Sequence, residues 1–179
     1  MKKYIVLDMH GVVFCHDPDC DIEKSSERFA EELKKYASNN KQYKDLDVEC
    51  DSIKKGIKDS SYLQLYFIPH TIQSKNKLFS SKNKIIVVSN SRVETSKLII
   101  KEFFSRYDLK YPLEKLDFYD FSQYGSKKES GAWYEIFRKY QRIDVIFEDK
   151  PIYLSAACEA AKKLGFSPQC SAFVDAKFL

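Results

Sequence analysis

The stretch YIVLDMHGVV, residues 4–13, decides the fold of this chain. Its first four residues, Tyr4 to Leu7, are apolar without interruption. A run this short is typical of a strand that is buried on both faces, as in parallel sheets. The run ends in Asp8, and parallel sheets bind their ligands at the carboxyl ends of strands. Asp8 is therefore a candidate functional residue, although an Asp in this position can also cap a turn. Gly11 permits a sharp turn beside the carboxylate.

Strands and helices alternate along most of the remaining chain. Further strands are predicted over residues 85–88, 116–121, 145–147 and 172–174. Helices are predicted around 71–79, from a capping box at Ser91 and Glu94, over 133–140, and between Pro151 and Gly165. This alternation predicts an α/β protein with a doubly wound, Rossmann-like parallel sheet.

One segment, residues 16–68, interrupts the alternation because its apolar residues are spaced for helices and polar residues dominate between them. The predicted helices cover residues 21–37, residues 48–58 and a third stretch that starts after Ser60 and includes Tyr66 and Phe67. We therefore predict a core domain of residues 1–15 and 69–179, with residues 16–68 inserted after the first strand as a small helical cap.

Composition narrows the class of protein. A chain of 179 residues has room for one compact domain and an insertion. The net charge of +4 comes from 30 basic and 26 acidic residues without a long basic run, so no nucleic-acid partner is expected. The sequence shows neither a signal peptide nor a stretch of transmembrane length, so we expect a cytoplasmic protein without a membrane partner. In that compartment five cysteines without a Cys-x-x-Cys pair suggest free thiols.

Polar residues with complementary chemistry follow several of the predicted strands. Asp8, Ser89 and the pair Glu148-Asp149 each come directly after a strand, and Lys127 lies in a loop. Strands wound in the same direction would bring these residues to one edge of the sheet. A carboxylate nucleophile, a hydroxyl, a cation and further carboxylates suit phosphoryl transfer with Mg²⁺. The structural alternatives are a helix-capping role for the serine and the acidic pair, and a solvated surface lysine.

The order of these motifs resembles the haloacid dehalogenase (HAD) superfamily over nearly the whole chain. The matching residues are Asp8-x-His10-Gly11, then Ser89-Asn90, then Lys127, then Glu148-Asp149. The resemblance implies that Asp8 is the nucleophile that accepts the phosphoryl group. It implies that His10 contributes its backbone carbonyl to Mg²⁺ and stands where the family usually has an Asp as general acid and base.

The resemblance also assigns the remaining positions. It implies that Ser89, Asn90 and Lys127 bind the phosphate, with Lys127 also acting in catalysis and Lys128 as the alternative lysine. The acidic pair corresponds to the last motif of the family. Asp149 is then a ligand of Mg²⁺ together with Asp8 and the His10 carbonyl, and Glu148 either supports it or binds the metal as well.

Three functions remain open from the sequence. The first is a Mg²⁺-dependent phosphatase that acts on a small phosphorylated metabolite through an aspartyl-phosphate on Asp8. The second is a metal-independent 2-haloacid dehalogenase, which His10 leaves open but which has no need of Glu148-Asp149. The third is a catalytically degenerate member that binds a phosphorylated ligand without turnover, and His10 is the departure from the family pattern that supports it.

Overall fold

The computed structural model describes residues 2–36, 46–58 and 65–179. Its main sheet has five parallel strands in the order β5-β4-β1-β6-β7. In chain order these strands are β1 (Tyr4–Leu7), β4 (Lys84–Ser89), β5 (Leu116–Asp120), β6 (Val145–Phe147) and β7 (Gln169–Ser171). The predicted doubly wound parallel sheet is confirmed, and its central strand is the apolar run at the start of the chain.

The burial of β1 on both faces explains its unbroken apolar sequence. Ile5 and Leu7 belong to one hydrophobic cluster, and Val6 between them belongs to the other. Successive side chains of a strand point to opposite faces, so each face needs its own apolar residues. On one side, β1 pairs with β4, and on the other it pairs with β6. The carboxyl end of β1 therefore lies between two neighbouring strand ends.

Helices cover both faces of the sheet. They are α3 (Pro69–Leu78), α4 (Val93–Arg106), α5 (Ser130–Phe137) and α6 (Pro151–Lys163). Buried residues of α3 and α4 belong to the cluster that contains Ile5, and those of α5 and α6 belong to the cluster that contains Val6. The two pairs of helices thus form the outer layers of a three-layer α/β unit. Both Pro69 and Pro151 occupy first-turn positions, where a missing N–H costs little.

The described part of the segment that follows β1 contains two helices and a small second sheet. The helices are α1 (Ile22–Tyr36) and α2 (Leu46–Lys58), close to the predicted ranges. Ile53 of α2 is buried in the same cluster as Ile5. The division into a core of residues 1–15 and 69–179 and a cap of residues 16–68 remains a prediction.

The third helix predicted in this segment is wrong at its carboxyl end. Residues 59–64 lie outside the described residues, but Tyr66–Phe67 form strand β3, which pairs antiparallel with β2 (Phe14–Cys15). The Tyr107 hydroxyl donates to the Leu65 carbonyl at 2.7 Å and lies 3.3 Å from the donating amide nitrogen of Phe67. The extended backbone is favoured because the Leu65 carbonyl and the Phe67 amide form hydrogen bonds with Tyr107 instead of within a helix. A short apolar run in the sequence does not indicate whether its backbone has such a distant partner.

Two further local predictions are corrected. Helix α4 has Arg92 at its N-cap, without a side-chain cap, so Ser91 does not form the predicted capping box. The Ser89 hydroxyl accepts a hydrogen bond from the Ser91 amide at 2.9 Å, and this turn delays the start of the helix. The last strand covers Gln169–Ser171 instead of residues 172–174. The pairing with β6 determines the position of this strand. Phe173, which was predicted to lie in the strand, is exposed to solvent.

The expectation of free thiols is wrong for two of the cysteines. Cys158 on α6 and Cys170 on β7 form a disulfide, because the packing of the helix beside the edge strand brings the two side chains together. Cys15, Cys20 and Cys50 are not part of a disulfide. Across residues 2–36, 46–58 and 65–179, the chain forms no helix with the length and apolar character needed to cross a membrane.

Candidate active site

Three carboxylates meet at the carboxyl ends of the adjacent strands β1 and β6. Asp8 follows β1, and Glu148 and Asp149 follow β6. The strands lie side by side up to this point, where the Asp8 amide donates to the Phe147 carbonyl at 3.0 Å. One oxygen of each carboxylate lies within 4.8 Å of the others. The edge predicted from the sequence therefore does bring Asp8 and the acidic pair together.

Lys127 joins this group from the loop before α5. Its Nζ lies 2.7 Å from Oδ2 of Asp8 and 2.8 Å from Oε2 of Glu148. The side chain of Lys127 is only 2% exposed, whereas that of Lys128 is exposed to solvent. The structure therefore brings the first of the two candidate lysines to the carboxylates.

The sequence did not reveal what holds this lysine in place. The Trp133 indole donates to the Lys127 carbonyl at 2.8 Å, which fixes the loop to the first turns of α5. The Nζ atom lies 5.6 Å from the ring centre of Phe121, 5.8 Å from that of Trp133 and 5.5 Å from that of Tyr153. Aromatic faces attract a cation and exclude water from it. The ammonium group of Lys127 therefore contacts the carboxylates on one side and lies near aromatic rings on the other sides.

The charges of this group are unbalanced. Burial by itself lowers the pKa of Lys127, but Asp8 and Glu148 more than offset this effect, and the pKa is raised. The pKa of Glu148 is also raised, first by burial and then by the negative charge of Asp8, against the opposing effect of Lys127. Three carboxylates share one buried ammonium, so a further cation would be stabilised here.

The donor set fits Mg²⁺, which prefers oxygen ligands and needs only one or two carboxylates. Asp8 and Asp149 line a cavity, and both are only partly buried. Glu148 is fully buried: its Oε2 binds Lys127, and its Oε1 accepts from the Lys150 amide at 3.3 Å. Asp8 and Asp149 are thus the accessible carboxylates, and Glu148 lies behind them.

Gly11 is needed where the turn after β1 passes Asp149. Its φ is +86°, in the left-handed region that glycine adopts without strain. A Cβ at this position would lie 2.8 Å from both Cγ and Oδ2 of Asp149. The glycine therefore allows the backbone to approach the carboxylate more closely than any other residue could.

Ser89 and Asn90 lie at the end of β4, next to β1, and line the same cavity as Asp8. Asn90 is exposed, and Ser89 is partly buried. Because the Ser89 oxygen accepts from the Ser91 amide, its hydroxyl hydrogen can be donated to a ligand. The positive end of α4 begins just after this turn, which favours an anion nearby.

His10 also lines this cavity, but its ring is tied to the inserted segment. Its Nε2 lies 2.8 Å from Oγ of Ser25 on α1, and its ring stacks on His16 with centroids 5.4 Å apart. Burial lowers the pKa of His10, although Asp8 and Asp149 oppose this effect. A neutral imidazole with a lowered pKa can act as a base and, with the other nitrogen, as a donor.

The cavity has a volume of about 230 Å³ and extends from Asp8 between the sheet edge, α1 and α4. Its lining includes side chains that sequence reasoning did not assign to a site, namely Phe14, Ile22, Phe29, Ile99, Ile100, Lys150 and Tyr153. Lys150 could have been suspected, since it follows the acidic pair directly, and Tyr153 lies in the first turn of the next helix, α6. The apolar members carry no signal that separates a cavity wall from the core.

A parallel sheet of this order with helices on both faces is an architecture that the chain shares with proteins of the HAD fold. The HAD domain of the effector protein Lem4 from Legionella pneumophila is similar in structure, with a TM-score of 0.55 and 10% identity. The match covers 96% of this chain and 88% of that one.

A second similar structure is a putative β-phosphoglucomutase from Thermotoga maritima, with a TM-score of 0.50 and 12% identity. Here the match covers 98% of this chain and 89% of that one. No protein-family model matches the chain, and a search of the curated proteins finds no match. The two structural similarities show that the chain has the HAD fold, as its motif order indicated.

Proposed function

We propose that the protein is a Mg²⁺-dependent phosphatase that transfers a phosphoryl group to Asp8 and then to water. One observation carries the proposal: Lys127, almost fully buried, binds Asp8 and Glu148 beside the accessible carboxylate of Asp149. A carboxylate held by a cation at an anion-binding edge is suited to attack phosphorus, because both groups stabilise the charge that develops. The HAD fold is compatible with this chemistry.

The transfer step can be assigned to atoms. Oδ2 of Asp8 is bound by Lys127, so we assign the attack on phosphorus to Oδ1. A bond between this oxygen and phosphorus forms while the ester P–O bond breaks, and the leaving oxygen takes a proton from protonated His10. Water then loses a proton to the neutral imidazole of His10 and attacks phosphorus, the bond between Oδ1 and phosphorus breaks, and inorganic phosphate is released. Ser89, Asn90 and Lys127 bind the phosphate oxygens during both steps.

The metal belongs with the two accessible carboxylates. Asp8 and Asp149 would hold Mg²⁺ together with the His10 carbonyl, while Glu148 holds Lys127 in position behind them. When bound, Mg²⁺ neutralises negative charge on the phosphate and on the carboxylates. Without such a cation, a phosphate dianion would approach more carboxylates than ammonium groups, and binding would be opposed.

His10 is the residue to which we assign proton transfer. It lines the cavity beside Asp8, and no Asp stands two residues after the nucleophile. Its Nε2 is engaged by Ser25, so Nδ1 is the atom assigned to serve the leaving oxygen and later the water. Ser25 lies on α1, which links this proton-transfer group to the inserted helices.

The deciding experiment measures phosphate release from a panel of phosphate monoesters, with Mg²⁺ and with EDTA. We expect release that requires Mg²⁺ and that is lost in Asp8→Asn, a variant of nearly the same shape with a weak nucleophile. Turnover of a 2-haloacid in EDTA would instead select the dehalogenase. An absence of turnover with every compound would select the degenerate, ligand-binding member.

A further inference from the structure

The cavity beside Asp8 has one polar end and largely apolar walls. Asp8, Ser89, Asn90, Ser91 and Asp149 come from the strand ends and the turns that follow them. The other walls are formed by apolar side chains of β2, α1, β4 and α4, namely Phe14, Ile22, Phe29, Val87, Ile99 and Ile100. A phosphate bound at the polar end would therefore direct its ester group along apolar surface.

Three aromatic rings form a stack on one wall. The ring of His16 lies between those of His10 and Phe29, with centroid distances of 5.4 Å and 4.6 Å and interplanar angles of 26° and 18°. Phe14 meets His10 edge-on at 6.1 Å. Flat faces and edges of this kind pack well against another ring.

Away from the polar end, the lining also includes a few polar side chains, namely those of His16, Ser26, Ser96, Lys150 and Tyr153. Lys150 is the one lysine or arginine among the described residues that line the cavity, and it is exposed. The Ser26 hydroxyl already donates to the Ile22 carbonyl at 3.2 Å. Sugar hydroxyls or a second anionic group would lose hydration where they lie against the apolar walls.

We propose that the natural substrates are monoesters whose leaving group is apolar and compact, with a single ring preferred. This inference rests on the proposed phosphatase function and specifies its substrate class. The size is suitable: an apolar cavity of about 150 Å³ admits a benzene molecule. The cavity of about 230 Å³ therefore has room for a phosphate group and one ring.

The test separates binding from chemistry by means of phosphonates, which are not hydrolysed. In the presence of Mg²⁺, calorimetry compares benzylphosphonate with 2,3-dihydroxypropylphosphonate, which has a polar group of similar length. Burial of a phenyl group should make the first bind on the order of ten- to a hundredfold more tightly. Equal affinity, or a preference for the diol, would overturn the proposed substrate class.

Variants locate the effect in the cavity. Phe29→Ala should reduce the preference for benzylphosphonate by about tenfold and leave the affinity for the diol unchanged. Phe29→Leu should retain most of the preference for benzylphosphonate. This variant replaces Phe29→Ala in the test if the alanine variant does not fold. Phe173→Ala is the matched control, because Phe173 is 49% exposed and is not part of the cavity lining. An unchanged preference in both Phe29 variants would refute the assignment of this wall.

The two proposals can fail separately. A parent protein that releases phosphate from esters but binds the two phosphonates equally would retain the phosphatase function and lose the apolar substrate class. A parent protein that prefers benzylphosphonate but releases no phosphate from any ester would retain the apolar cavity and lose the proposed function.

Discussion

Gly11→Ala should weaken Mg²⁺ binding without unfolding the protein. The new Cβ would lie 2.8 Å from Cγ of Asp149, whereas ordinary contact begins near 3.4 Å. The carboxylate must therefore move by about 0.6 Å, because the backbone on the other side belongs to the turn after the central strand. Mg²⁺ needs ligands at about 2.0–2.1 Å in near-octahedral geometry, so a shift of this size disturbs the site.

We expect calorimetry to show Mg²⁺ affinity reduced by about 10–100-fold in Gly11→Ala, as for the loss of groups that orient metal ligands. Alanine in the left-handed region also costs about 1–2 kcal/mol of stability. Gly165→Ala isolates that cost, because Gly165 has φ +77° and nothing within 4 Å of its added Cβ. Gly11→Ala should lower the free energy of unfolding at least as much as Gly165→Ala does, and Gly165→Ala should bind Mg²⁺ like the parent. Parental Mg²⁺ affinity in Gly11→Ala would refute the reasoning.

Three further outcomes are expected. Asp149→Ala should bind Mg²⁺ much more weakly by calorimetry with its circular dichroism unchanged, and an unaltered affinity would remove Asp149 from the metal site. Lys127→Met leaves the buried Glu148 unpaired and should lower the free energy of unfolding, measured in urea, by roughly 3–5 kcal/mol. Lys128→Met is the control, because Lys128 is exposed, and it should change the free energy of unfolding by less than about 0.5 kcal/mol. His10→Ala should lose about 10²–10⁴-fold in rate with esters of poor leaving groups and far less with p-nitrophenyl phosphate; equal losses would exclude proton donation.

The sequence alone was sufficient for four of the five strands of the sheet and for the residues at their ends. The run from Tyr4 to Leu7 has to be buried on both faces, and a strand of that kind occupies the centre of a parallel sheet. Residues that directly follow such strands then meet at one edge, which is why Asp8 and Asp149 could be placed together. These properties follow from local periodicity and from the small number of ways in which parallel strands connect.

Predictions failed where a local pattern had a distant partner. Tyr66 and Phe67 fit a helix by spacing, but β2, some fifty residues away in the chain, provides backbone partners for a strand. Cys158 and Cys170 were predicted to be free thiols, but the packing of α6 beside β7 brings them together in a disulfide. The sequence around Tyr66 or around either cysteine does not indicate these distant partners, because the contacts exist only after the chain has folded.

The candidate site shows the same division between sequence and tertiary structure. The family resemblance favoured Lys127 and left Lys128 as the alternative in the same polar loop, and the fold buries Lys127 against Asp8, 119 residues away. The same is true of Phe29, an apolar helix residue by its sequence, which becomes a wall of the cavity when α1 packs over the sheet edge. Local sequence determines which residues can be buried, whereas the packing of distant elements determines which of them meet a carboxylate or face a cavity.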